Sequence, residues 1–144
     1  MTIKQALKQK NKLVKNIAEN TKLMQQHNSI EVGNQRPYSS TQLYKEIQKD
    51  TQELASLKAK IHIANTPVME DIFWMSEMKS TIAALKKMDC TEGRSNRDRF
   101  RMESEVVLTS EISLVSRNKE IKMLEAKIEE IQDKLDTFNA TTEI

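Results

Sequence analysis

Aromatic side chains are scarce in this sequence, at 4% of 144 residues. Glycine and proline occur only twice each, and cysteine once. So few aromatics and turn formers exclude a fold of many short strands joined by tight turns; the composition suits long helices. The lone Cys90 excludes an intrachain disulfide and fits a reducing compartment. No apolar run is long enough to span a bilayer, and no N-terminal stretch resembles a signal peptide. The protein is therefore expected to lack a membrane partner and to be cytoplasmic where it is made. A large net charge is also missing: the chain carries only +2, which argues against a strongly basic nucleic-acid binder.

Charge is abundant nonetheless, at 31% of residues, and it is unevenly spread. Residues 1–30 carry six lysines (Lys4, Lys8, Lys10, Lys12, Lys15, Lys22) against the single acid Glu19, whereas residues 119–144 carry seven acids against four lysines. Two readings stand. Such helices attract each other, or matching faces of an oligomer; alternatively the first helix binds phosphate groups.

An apolar repeat of seven residues runs through Leu43, Ile47, Leu54, Leu57, Ile61 and Ala64. It returns through Leu114, Ile121, Leu124, Ile128, Ile131, Leu135 and Phe138. Steps of three and four residues draw one stripe on a helix that needs a partner helix. Helices are predicted over about 3–28, 40–65, 67–88 and 112–139. Thr2 is the expected N-cap of the first, Ser39 with Gln42 has the spacing of a capping box before the second, and Thr66-Pro67 is expected to open the third. Helices two and three are expected to pair as an antiparallel hairpin. In the third, Val68, Ile72, Met75, Met78, Ile82 and Leu85 share one side, with Trp74 at its edge and Phe73 pointing away. This reads either as two separate contacts or as one broad core stripe.

Residues 89–99 read as a polar loop. After it, Phe100, Met102, Ser104, Val106 and Leu108 alternate with Arg101, Glu103, Glu105, Val107 and Thr109, a period of two that predicts a β segment over about 99–109. One strand alone does not stand in water, so it must fold back as a hairpin or pair with another copy. The predicted fold is one mainly all-α domain, 1–144: an antiparallel long-helix bundle or coiled coil with a small β-hairpin before the last helix. Long helices have little deep core, so oligomerisation is expected. Its interface is assigned to Phe73, Leu124, Ile128, Ile131, Leu135 and Phe138.

No catalytic constellation stands out. His27 and His62 lie on different helices without a ligand partner at metal spacing, and no Gly-rich phosphate loop, GxSxG or HExxH occurs. No catalytic residue, metal site or cofactor is expected, and the chain reads as a non-enzyme. The one suggestive cluster is Arg94, Arg97, Arg99 and Arg101 around Phe100. Guanidinium groups grip phosphate in pairs of bonds and stack on planar rings, which lysine does not do. These four arginines, with Phe100 or Trp74 stacking on a base, are the candidate site for a small phosphate-bearing or nucleotide ligand. The competing reading pairs them with Glu103, Glu105 and acids of a neighbouring chain. The patch is too small to expect a grip on extended nucleic acid.

Three stretches carry a family likeness: Ile3-Lys4-Gln5-Ala6-Leu7 with Lys12-Leu13, Asn65-Thr66-Pro67 followed by Ser76-Glu77-Met78-Lys79-Ser80, and Leu135-Asp136, Asn139 and Thr141-Thr142-Glu143-Ile144. In these the chain resembles a septicolysin-like family of small helical proteins from bacteria and tailed phages, the phage members most of all. The resemblance implies a helical fold with a β-hairpin before the last helix, and no established activity or site residues. Ala140 stands where bacterial members tend to carry an aromatic, and the Arg-rich loop fits the family pattern poorly. The expectation is a non-enzymatic, oligomeric, phage-type binding protein of the host cytoplasm, sequestering a nucleotide-like host immune signal as an anti-defence sponge. The alternatives are a virion structural or assembly protein built from coiled-coil contacts, and a helical inhibitor of a host protein.

Overall fold

The computed structural model describes residues 1–95 and 106–144. Four long helices carry the chain: α1 (Ile3–His27), α2 (Ser40–Ala64), α3 (Met69–Lys87) and α4 (Leu114–Thr141). A two-stranded antiparallel sheet, β1 (Gly93–Ser95) with β2 (Val106–Leu108), precedes α4. The mainly helical fold with its hairpin before the last helix is the one the apolar pattern predicts.

Local chemistry sets the boundaries. Thr2 Oγ1 accepts from the Gln5 N–H at 3.3 Å while Gln5 Oε1 accepts from the Thr2 N–H at 2.9 Å, a complete capping box on α1. Ser39 Oγ accepts from the Gln42 N–H at 3.2 Å, but the Gln42 amide turns away to Glu46 at 3.3 Å, so only half of that box forms. Ser113 caps α4 by accepting from the Ser116 N–H at 3.1 Å. The start of the third helix differs from expectation. Thr66 does not cap it; its hydroxyl donates back to the Ile63 carbonyl at 2.8 Å. Thr66–Val68 form a single 3-10 turn, and α3 begins at Met69.

The chain divides into two compact units, Met1–Val68 with Leu135–Ile144, and Met69–Lys134. In the first, α1 and α2 run antiparallel: Gln9 donates to Glu53 at 2.6 Å, and Asn20 to Glu46 at 3.4 Å. Ala6, Leu13, Leu57 and Ile61 form its core, with Leu7, Leu54 and Ile144 packed against them. Within this unit the α2 stripe is thus taken up by α1. The chain ends close this unit. The Ile3 N–H donates to the Thr142 carbonyl and the Ile144 N–H to the Met1 carbonyl, both at 2.9 Å. The first of these bonds supplies an otherwise orphan N–H in the first turn of α1 with an acceptor.

In the second unit, α3 and α4 are antiparallel. Lys134 Nζ meets Asp71 Oδ2 at 2.6 Å near the start of α3, and the Arg117 guanidinium donates to the Met88 carbonyl at 3.2 Å just past its end. Arg117 therefore satisfies a carbonyl that the helix end leaves open. Met78 and Ile82 on α3 and Ile121 on α4 are buried. The hairpin base is tied by Ser110, which donates to Glu92 at 2.6 Å, and by Thr91, which turns back onto Asp89. Gly93, assigned to the polar loop by sequence, opens β1 with φ of 86°, a left-handed conformation that favours glycine.

Candidate functional site

Side chains that a folded chain leaves uncovered are informative when they are large and adjacent. Phe73 and Trp74 stand side by side on α3 with 62% and 53% of their surface exposed. Full burial of either ring would contribute roughly 1.5–3 kcal/mol or more, so this unit leaves a substantial stabilisation unused. The reason is angular. The stripe through Met75, Met78, Ile82 and Leu85 turns inward, and Glu70, Phe73, Trp74 and Glu77, at i, i+3, i+4 and i+7, share a different face. The broad-stripe reading of α3 thus gives way to a narrow buried stripe with an aromatic pair outside it.

Two shallow clefts flank the pair. One of about 520 Å³ is lined by Glu70, Asp71, Phe73, Trp74 and Glu77. The other, of about 280 Å³, is lined by Asp71, Trp74, Lys127, Glu130, Ile131 and Lys134. Four carboxylates and two ammonium groups therefore surround Trp74, and Lys134 is already held by Asp71. The net negative rim would repel a phosphate stacked there and attract a cationic group.

The predicted ligand residues do not gather in one place that the structure describes. Arg94 is exposed in β1, paired in register with Val107. Arg97, Arg99, Phe100 and Arg101, with most of the predicted 99–109 strand, lie outside the described residues. Of that segment residues 106–109 are described, and the strand Val106–Leu108 pairs with Gly93–Ser95. Trp74 lies about 20 Å along α3 from its last residue, Lys87, which precedes the hairpin. Arg94 lines neither cleft beside Trp74.

The residues assigned to an oligomer interface divide by burial. Phe73 is exposed. Leu124, Ile128, Ile131 and Phe138 are half-buried. Leu135 keeps only 6% of its surface, covered by its own chain.

A second face escapes a reading based on apolar periodicity. Lys8, Asn11, Lys12 and Lys15 stand at i, i+3, i+4 and i+7 on the solvent side of α1. With Gln5 and Gln9 they line an open groove of about 640 Å³. The lysine excess was visible in sequence; its seven-residue spacing, the same as that of Glu70 and Glu77, was the missed signal.

Elsewhere the chemistry is sparse. His27 rests against Tyr38 with ring centroids 5.2 Å apart, and Cys90 is a half-buried free thiol. Among the described residues no cluster of His, Cys, Asp and Glu could hold a metal ion, and no helix is long and apolar enough to cross a membrane. No family model, curated protein or solved structure matches this chain.

Proposed function

We propose that this chain is a non-enzymatic binding protein that engages a protein partner through the Phe73–Trp74 face of α3. The observation that carries the reading is the adjacent exposed aromatic pair inside a carboxylate rim. Aromatic anchors in a polar rim are what binding hot spots are made of. A helix face with anchors at i+3 and i+4 between acids at i and i+7 suits a partner helix with basic flanks. The carboxylate rim disfavours the use of Trp74 as a stacking platform for a nucleotide. The sponge reading then rests on the sequence of Arg94, Arg97, Arg99 and Arg101 alone.

Native mass spectrometry of the protein purified from producing cells tests this. The expected result is a complex heavier than the 16.7 kDa chain by at least one polypeptide, which reverts to the free chain in the Phe73→Ala/Trp74→Ala variant with helicity unchanged. A free chain, or one carrying only a nucleotide-sized mass, would overturn the proposal; the second result would restore the sponge.

A further inference from the structure

We infer that the partner seated on the Phe73–Trp74 face is a second copy of this chain, presenting the lysine face of its own α1. The inference rests on the binding reading above and names its occupant. Glu70, Phe73, Trp74 and Glu77 occupy positions i, i+3, i+4 and i+7 of α3, and Lys8, Asn11, Lys12 and Lys15 occupy the same four positions of α1. Glu70 and Glu77 are two helical turns apart, about 10 Å, as are Lys8 and Lys15. Both helix faces are exposed: Glu70, Phe73, Trp74 and Glu77 on one, Lys8, Asn11, Lys12 and Lys15 on the other.

Laid against each other, the two faces put an ammonium opposite each outer carboxylate in either helix direction. They also put Asn11 and Lys12 over the two rings. Lysine suits that central place. Its four-carbon stem covers an aromatic face while its charge stays at the rim, and an ammonium over an indole gains a cation–π attraction. The rings supply the affinity; exposed ion pairs contribute little each and set the register.

The two faces lie on different helices, so each contact joins unlike surfaces. Each copy carries one of each face, and the copies close as a reciprocal dimer or a ring, or extend as an open chain.

Trp74 is the only tryptophan, so its emission reports this face directly. The test follows emission and mass together over a concentration series of the full chain. The wild type is expected to shift to the blue as mass rises, and added salt is expected to reverse both. Two charge reversals, Lys8→Glu/Lys15→Glu and Glu70→Lys/Glu77→Lys, are each expected to raise the concentration of half-association about tenfold or more, with helicity unchanged. Mixing them restores opposite charges at every contact, and is expected to recover both the mass and the blue shift. Three results would overturn the inference: a wild type that stays monomeric with unshifted emission, assembly without a shift, or reversals that associate as the wild type does. In each case the binding reading would still stand if the native complex from producing cells contains a different polypeptide and is lost in the Phe73→Ala/Trp74→Ala variant.

Discussion

Met78 and Trp74 lie four residues apart on α3 and have opposite fates: 2% of Met78 is exposed against 53% of Trp74. Truncating each should separate stability from binding. Met78→Ala leaves a cavity in a close-packed interior and is expected to cost about 2–5 kcal/mol in urea unfolding. Phe73→Ala and Trp74→Ala remove rings that the fold only partly covers, and each is expected to cost less than about 1 kcal/mol while partner binding is lost. If Trp74→Ala proved as destabilising as Met78→Ala, the ring would be a core residue and the surface reading would fail. The inward side of α3 was legible from the spacing of Met75, Met78, Ile82 and Leu85. How far Phe73 and Trp74 remain uncovered depends on where α4 lies, and no local pattern specifies that.

The helices themselves were readable because their signals are local. Thr2, Ser39 and Ser113 each supply a hydroxyl to a first-turn N–H, and the apolar stripes fix the rest. Ser113→Ala is expected to destabilise by about 1 kcal/mol, with faster hydrogen exchange confined to the first turns of α4; no change in exchange there would mean that Ser113 contributes little as a cap. The pairing of elements was less legible. Thr66-Pro67 has the form of a helix start, yet Thr66 bonds backward to Ile63, because one 3-10 turn already supplies the passage from α2. The β2 partner, Gly93–Ser95, lies in a polar stretch without alternation, and sheet register is a long-range property that such a stretch does not encode. The Lys134–Asp71 bridge marks the antiparallel sense of α3 and α4 at 2.6 Å, but with 63% of the lysine side chain exposed, Lys134→Met is expected to change stability by no more than about 1 kcal/mol.

At the scale of the whole molecule, part of each apolar stripe builds a buried core, while much of the charge faces outward. Leu135, Leu57 and Ile61 are buried in the protomer, whereas the lysines of α1 and the carboxylates of α3 face outward at matching spacing. The uneven charge was plain in the sequence, but which charged residues face outward needed the packing within each unit. The C-terminal tail pairs with residues 1–3 and places Ile144 against the α1–α2 core. Ile144→Asp is therefore expected to lower the unfolding midpoint, because it forces a charge against apolar neighbours; an unchanged midpoint would show that the terminal ribbon opens freely. The central claim, that the Phe73–Trp74 face is where this protein binds, is tested most directly by photo-crosslinking in producing cells. A photoreactive residue replaces Phe73, and the same residue at the exposed position Lys58 on α2 serves as control. The account requires a discrete adduct from position 73, absent from position 58 and abolished by Trp74→Ala, whose crosslinked peptide is the Lys8–Lys15 segment if the partner is a second copy. Equal, diffuse labelling from both positions would contradict it.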